Sequence, residues 1–280
     1  MSATPRIQVP QDLEESLPMT LPRLAEKKRL GEPIVMMTAY DYPSAQVAQE
    51  AGVDVVLVGD SVAMVVQGRE TTVAVTMEQM LYHTSIVSRG VERALVVGDL
   101  PFMSFQVNPD EALRNSGRMV KESGVEAVKL EGGEVICPTV RRIVDVGIPV
   151  MGHLGLTPQS IHKFGTYQVR ATTPEEAEEV RRDARALQDA GVFAIVLEKV
   201  PAALAESISK ELEVPVIGIG AGSGCDGQIL VTHDMLGLYT RFHPRFVRRY
   251  AELAADMLAA FQHYVGDVKA GEFPSDSESY

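Results

Sequence analysis

The chain has few cysteines and few basic residues, and each shortage excludes a class of protein. Its two cysteines, Cys137 and Cys225, lie far apart and in no metal-binding spacing, so a reducing compartment is the default expectation. Lysine and arginine number 26 against 38 acidic residues, which gives a net charge of −12. Because nucleic-acid binders need a basic surface, and no stripe of lysine and arginine is present, we expect no nucleic-acid partner.

Long apolar segments are also missing. No run approaches the length of about 20 apolar residues that a membrane helix needs. Residues 1–22 lack the apolar core of a signal peptide. These two observations predict a cytoplasmic protein with no membrane partner, and the hydrophobic fraction of 45% is ample for a packed core.

Short apolar runs that end in a polar residue recur along the chain. Parallel strands that are buried on both faces have this continuous apolar pattern. Between the runs lie helical patterns that end in glycine, which is typical of repeated βα units. The pattern predicts a (β/α)8 TIM barrel with an eighth strand around Gln228–Thr232 and seven clearer strands near residues 33–38, 54–59, 94–99, 125–131, 148–152, 192–198 and 214–219.

The length of 280 residues suits one large barrel better than two ordinary domains. We predict a flexible N-terminal arm over residues 1–17, a single barrel domain over residues 18–268 and a polar tail over residues 269–280. The segment Pro244–Val265 is predicted to be a long helix.

Polar residues at the strand ends form the first candidate site. The carboxyl ends of the strands build the active site of a barrel enzyme. Because strand side chains alternate with a period of two, Val56 and Val58 should share an inward face with Asp60. The same count predicts that five side chains converge on one mouth: Asp60, Asp99, Lys129, Glu131 and Glu198.

Three of these carboxylates, Asp60, Asp99 and Glu131, favour a hard divalent cation. Oxygen donors without a cysteine or histidine pair suit Mg²⁺, which takes one or two carboxylates together with water and substrate oxygens. Such a metal can polarise a carbonyl group. The alternative is that each aspartate only caps the helix that follows it.

Three further residues have a chemical and a structural interpretation. Glu198 ends a very apolar strand, where a buried carboxylate suits a general acid or base, but it could instead pair with Lys199 or another lysine. Lys129 could bind an anionic substrate or form a purely structural salt bridge. His153, at another strand end, is a weaker candidate.

A set of motifs in these strand ends closely resembles the ketopantoate hydroxymethyltransferase family. The resemblance covers about residues 25–265, in the order that the family has. Any one motif is weak, but the set is highly specific. The motifs are residues 38–42 (TAYDY), 57–61 (LVGDS), 98–103 (GDLPFM), 128–133 (VKLEGG), 152–160 (GHLGLTPQS), 197–198 (LE), 217–222 (IGIGAG) and 226–228 (DGQ).

The resemblance implies a barrel of the phosphoenolpyruvate/pyruvate type and a one-carbon transferase. The implied reaction moves a hydroxymethyl group from 5,10-methylenetetrahydrofolate to 2-oxoisovalerate (3-methyl-2-oxobutanoate) and forms ketopantoate. This is the first step of pantothenate biosynthesis, on the way to coenzyme A. The family also implies a homo-oligomer, which we expect to be a decamer.

The resemblance also implies roles for single residues. Asp60 and Asp99 would bind Mg²⁺ directly, and Glu131 would hold it through water. Glu198 would be the catalytic base. Substrate contact is implied for five residues: Asp60, Ser61, Asp99, Lys129 and His153.

Two other functions fit a barrel of this kind. A carbon–carbon lyase of the isocitrate or methylisocitrate type would carry a Lys-Lys-Cys-Gly-His loop, which this sequence lacks. A non-catalytic barrel would be expected to have lost one of the four acidic candidates, and all of them are present: Asp60, Asp99, Glu131 and Glu198.

Overall fold

The computed structural model describes residues 17–280, and its centre is a closed barrel of eight parallel strands in chain order. The predicted arm at residues 1–17 therefore lies outside the described residues, apart from Leu17. The strands are β1 Ile34–Thr38, β2 Val55–Val58, β3 Leu95–Asp99, β4 Ala127–Glu131, β5 Val150–Gly155, β6 Ala194–Glu198, β7 Val216–Ile219 and β8 Gly227–Leu230. The predicted (β/α)8 barrel is confirmed, including its eighth strand.

Helices alternate with the strands along the chain and are numbered here over the described residues. They are α1 Leu21–Leu30, α2 Tyr42–Glu50, α3 Val62–Val65, α4 Met77–Arg89, α5 Pro109–Ser123, α6 Cys137–Val144, α7 Ile161–Phe164, α8 Pro174–Asp189, α9 Ala202–Glu211, α10 Thr232–Met235 and α11 Leu253–Ala270. Short 3-10 turns occur at Thr72–Ala74, Glu134–Ile136, Pro158–Ser160 and Asp276–Glu278.

Local sequence signals account for where the larger helices begin. Thr76 and Gln79 form a reciprocal capping box at the start of α4. The Asn108 side chain caps α5, whose first residue is Pro109. These caps satisfy backbone N–H groups that the first helical turn leaves without a partner, so each βα connection turns sharply out of the barrel.

The strand register shows which side chains face the barrel axis. Leu57 of β2 lies beside Val97 of β3, and Asp99 lies beside Lys129 of β4. Glu131 in turn lies beside His153 of β5. Because paired residues of parallel strands point to the same face, these side chains form one inward-facing layer at the carboxyl ends of the strands.

The predicted face of β2 is wrong. Val56 pairs with Val96 of β3. Val56, Val58 and Val96 all belong to the apolar core between the strands and the helices. Asp60 still reaches the barrel mouth because β2 ends at Val58 and the chain turns at Gly59. The strict alternation of a strand does not continue through that turn.

Two ion pairs connect α1 to the amino-terminal end of the barrel. Lys27 Nζ lies 2.9 Å from Asp54 Oδ1, and Lys28 Nζ lies 2.6 Å from Asp226 Oδ2. Lys28 also donates to the Ser209 carbonyl oxygen at 2.8 Å. Residues at this end of the strands serve stability, which leaves the opposite end for chemistry.

Replacing Lys28 with methionine is expected to lower the free energy of unfolding by about 2 kcal/mol, because it leaves the partly buried Asp226 carboxylate without its cation. Arg29→Met is the matched control on the same helical turn, where the exposed pair with Glu26 should contribute little to stability. Urea unfolding of both variants measures the difference. Equal losses in the two variants would contradict the assignment.

The described chain packs as two compact units that divide after Ile229. The single domain over residues 18–268 and the tail over residues 269–280 stay predictions. In the second unit the helix predicted over Pro244–Val265 is wrong in its bounds, since α11 spans Leu253–Ala270. The Tyr250 N–H donates to Met235 O and the Leu253 N–H to Leu236 O, so these donors do not form the helical hydrogen bonds that an earlier start requires.

None of the helices that the structure describes is both long and apolar enough to span a membrane.

Candidate active site

Three carboxylates and one lysine are buried together at the carboxyl ends of β2, β3 and β4. Asp60, Asp99, Glu131 and Lys129 are each at most 6% exposed. Lys129 Nζ lies 2.9 Å from Asp99 Oδ1 and 3.7 Å from Glu131 Oε1. The Asp60 backbone N–H donates to Asp99 Oδ2 at 3.1 Å, which links the ends of β2 and β3.

The cluster carries more negative than positive charge, because one ammonium group faces three carboxyl groups. Burial, followed by the charge of Glu131, raises the pKa of Asp60 to about 6. Burial also raises the pKa of Asp99 well above its ordinary value and raises that of Glu131, although Lys129 opposes both shifts. Burial alone would lower the pKa of Lys129, but the carboxylates hold it above its ordinary value, so the ammonium group stays charged.

His153 and Glu198 extend the cluster across β5 and β6. Lys129 Nζ lies 3.1 Å from His153 Nδ1, and His153 Nε2 lies 3.3 Å from Glu198 Oε2. Burial, followed by the charge of Lys129, lowers the pKa of His153, so the ring is neutral. Because Lys129 can only donate, Nδ1 accepts and the ring proton is on Nε2, facing Glu198.

The structure tests one of the interpretations that the sequence left open for Glu198, its pairing with Lys199. The Lys199 ammonium group donates to the Tyr167 carbonyl oxygen, whereas the Glu198 carboxylate faces His153. The Glu198 side chain is 15% exposed, so it is accessible from the mouth, unlike the nearly buried His153.

The capping interpretation of the aspartates is wrong for Asp60. The short helix α3 has Ser61 at its N-cap position, and no side chain caps it. The Asp60 carboxylate instead accepts a hydrogen bond from Gln159 Nε2 at 3.0 Å. Ser61 Oγ lies 2.7 Å from the hydroxyl of the buried Tyr40, which follows the end of β1.

Sequence reasoning missed a role for Gln159, although the residue belongs to the GHLGLTPQS motif. It lies in the 3-10 turn Pro158–Ser160 after β5 and is 5% exposed. Its contacts reach the ends of β2, β3 and β4. A polar side chain in a proline-containing turn directly after a strand was the only signal, and such turns are common on protein surfaces.

The donor set fits a hard cation that completes its shell with other ligands. Within residues 17–280, no three His, Cys, Asp or Glu side chains form a ready-made metal cage. Mg²⁺ does not require one, since one or two carboxylates with water and substrate oxygens suffice. Glu131 Oε1 is buried without a hydrogen-bond partner, and the excess negative charge favours a further cation.

Solved structures with the same fold support the class of barrel. Phosphonopyruvate hydrolase in complex with oxalate and Mg++ is 13% identical, with a TM-score of 0.61 over 92% of each chain. A 2,3-dimethylmalate lyase, described as a PEP mutase/isocitrate lyase superfamily member, is 19% identical, with a TM-score of 0.58 over 93% of this chain and 91% of that chain. These likenesses show the fold, a (β/α)8 barrel of the phosphoenolpyruvate/pyruvate type.

Sequence comparison identifies the family within that class. The ketopantoate hydroxymethyltransferase family model matches residues 18–276, and the chain belongs to this family. A 3-methyl-2-oxobutanoate hydroxymethyltransferase of Prosthecochloris aestuarii is 57% identical, covering 94% of this chain and 96% of the relative. The enzyme of the same name from Christiangramia forsetii is 56% identical at the same coverage. The chain is therefore an enzyme, and the resemblance in its motifs is confirmed.

Proposed function

We propose that this enzyme transfers a hydroxymethyl group from 5,10-methylenetetrahydrofolate to 2-oxoisovalerate and forms ketopantoate with the help of Mg²⁺. The observation that carries the proposal is the buried group of three carboxylates and Lys129, with Glu198 facing His153 at its edge. Relatives that are more than half identical carry the corresponding transferase name, which supports this substrate.

Asp60 and Asp99 would hold the metal directly, and Glu131 would hold it through water. When bound, Mg²⁺ supplies Lewis-acid stabilisation of the charge that develops on the ketone oxygen. The barrel of phosphonopyruvate hydrolase, which was solved with oxalate and Mg++, supports a metal with a small acid in a mouth of this kind.

Glu198 would remove the proton from C3 of 2-oxoisovalerate, because its side chain is 15% exposed, whereas the three carboxylates of the cluster are each at most 6% exposed. His153 Nε2 lies 3.3 Å from Glu198 Oε2, so the ring faces the carboxylate that would take the proton. Lys129 and Ser61 would bind the anionic end of the substrate. C3 then bonds to the folate methylene carbon, and both carbon–nitrogen bonds of that carbon break. Water supplies the hydroxyl group, and the proton taken by Glu198 and the remaining proton of water go to the two nitrogens, leaving tetrahydrofolate.

The direct test is product formation by the purified enzyme with 2-oxoisovalerate, methylenetetrahydrofolate and Mg²⁺, followed by NMR. We expect ketopantoate, and we expect none when the folate is omitted or a chelator is added. Cleavage of 2,3-dimethylmalate or methylisocitrate without ketopantoate formation would instead support the lyase alternative. Absence of any product would favour a non-catalytic barrel.

Metal binding should also depend on pH, because protons and Mg²⁺ compete for Asp60. Burial raises the pKa of this carboxyl from 3.8 to about 6. Without metal, the protonated Asp60 therefore contributes to the stability of the fold below about pH 4, and this contribution is lost as the pH rises through about 6. Mg²⁺ reverses that loss. We expect the increase in Tm caused by Mg²⁺ to be large near pH 8 and to shrink below about pH 6.

Thermal unfolding with and without saturating Mg²⁺, across the range from about pH 5 to about pH 8, measures this dependence. An increase in Tm that stays constant across the range would contradict the assignment of the buried carboxylates as metal ligands.

We further propose a cytoplasmic homo-oligomer, with the decamer of the family as the expected state. The helix α11 supports association because it has no buried residue and exposes a row of large apolar side chains. These are Met257, Leu258, Phe261, Tyr264, Val265 and Val268. Light scattering would give ten chain masses if the proposal holds, and a monomer mass would contradict it.

A further inference from the structure

Gln159 connects the ends of three neighbouring strands from a turn that follows a fourth. Its side-chain Nε2 donates to Asp60 Oδ2 at 3.0 Å and to the Leu100 carbonyl oxygen at 2.9 Å. Its backbone N–H donates to Glu131 Oε2 at 3.0 Å. Gln159, in the turn that follows β5, therefore contacts Leu100, the residue after β3, and two carboxylates of the cluster, those of Asp60 and Glu131.

The orientation of the Gln159 amide follows from its partners. Both groups that face Nε2 are oxygens that can only accept, and Gln106 Nε2 donates to Gln159 Oε1 at 3.0 Å. Rotating the amide by half a turn would set its oxygen against two acceptors and its NH₂ group against a donor. The observed orientation is the one in which every contact pairs a donor with an acceptor.

These contacts select which carboxylate oxygens remain for a ligand. Gln159 occupies Oδ2 of Asp60 and Oε2 of Glu131, whereas Oε1 of Glu131 has no hydrogen-bond partner. A carboxylate whose second oxygen is hydrogen-bonded can rotate little, and residues that orient ligands in this way commonly contribute 10–100-fold to metal affinity. Nearly complete burial removes water as a replacement donor.

We propose that Gln159 is a positioning residue for the metal site: it fixes Asp60 and Glu131 in the orientations that bind Mg²⁺. The inference rests on the proposed function, because it assumes that the carboxylate cluster holds the metal. It assigns to the turn after β5 a role in the chemistry, although Gln159 touches neither of the reacting carbons.

Gln159→Met tests the proposal, because methionine has a similar volume and cannot donate. Titration calorimetry with Mg²⁺ alone should show an affinity about 10–100-fold below that of the wild type. The EPR spectrum of bound Mn²⁺ should change as well, which a purely structural role would not cause. Gln159→Asn, whose amide is one carbon too short to reach Asp60, is the second variant and decides the matter if Gln159→Met does not fold.

Gln188→Met is the matched control. Gln188 Oε1 accepts hydrogen bonds from the backbone N–H groups of Glu213 and Val214 and contacts no carboxylate of the cluster. We expect this variant to lose stability but to keep the Mg²⁺ affinity and the Mn²⁺ spectrum of the wild type.

The outcomes separate this inference from the proposed function. A folded Gln159→Met or Gln159→Asn enzyme with wild-type Mg²⁺ affinity would overturn the positioning role alone, provided that Asp60→Ala has lost the metal. If the wild type itself binds no Mg²⁺, the metal part of the proposed function and this inference both fail.

Discussion

Glu198→Gln is expected to slow exchange of the C3 proton of 2-oxoisovalerate by about 10²–10⁴-fold while leaving Mg²⁺-dependent binding of the keto acid largely intact. Glutamine keeps the shape of the side chain and can still face His153, but it cannot accept the proton. The exchange is measured in D₂O by NMR without folate, and binding is measured by calorimetry on the same sample.

The barrel offers a matched control for this substitution. Glu126 lies at the amino-terminal end of β4, where it accepts a hydrogen bond from the Val96 N–H and burial raises its pKa. Glu126→Gln therefore removes a partly buried carboxylate far from the mouth and should leave the exchange rate unchanged. If Glu198→Gln exchanges the proton at the wild-type rate, Glu198 is not the base.

Asp60→Ala should abolish the Mg²⁺ dependence of 2-oxoisovalerate binding, with a loss of metal affinity above about 100-fold. Removing a residue that only orients a ligand already costs about 10–100-fold, and removal of a charged ligand itself should cost more. The substitution also leaves Gln159 Nε2 without its carboxylate partner. Calorimetry with Mg²⁺, followed by the keto acid, measures both effects.

Asp54→Ala is the corresponding control, because Asp54 lies just before β2 and Asp60 just after it. The Asp54 carboxylate pairs with Lys27 and accepts from the Val35 N–H at the opposite end of the barrel. We expect the control to be less stable but to bind Mg²⁺ normally. Normal Mg²⁺ dependence in Asp60→Ala would remove Asp60 from the ligand set.

Much of the fold could be predicted because each strand of the barrel is buried on both faces and leaves a continuous apolar run. The β4 and β6 patterns predicted where the two strands end and the inward faces of Lys129 and Glu198, although both strands begin two residues later than predicted. The face of β2 could not be predicted, because the turn at Gly59 redirects Asp60 after the alternation has ended. The start of α11 depends on backbone hydrogen bonds to Met235 and Leu236, which no local pattern reveals.

The candidate site also has a part that the sequence could predict and a part that it could not. Asp99, Lys129 and Glu131 could be predicted to meet because regular strands place them in register. The proton position on His153 depends on Lys129, which lies 24 residues earlier in the sequence, and the contact of Gln159 with Asp60 spans 99 residues. Lys129 and His153 lie on the neighbouring strands β4 and β5, whereas a loop brings Gln159 to Asp60. The conformation of that loop is set by tertiary contacts and not by a repeating pattern.

The most direct test of the central claim is exchange of the C3 proton of 2-oxoisovalerate in D₂O by the wild-type enzyme, followed by NMR with Mg²⁺ and without folate. The account predicts exchange that stops when a chelator removes the metal, because the carboxylates and Glu198 together make enolisation possible. Absence of exchange, even after methylenetetrahydrofolate is added, would contradict the proposed reaction.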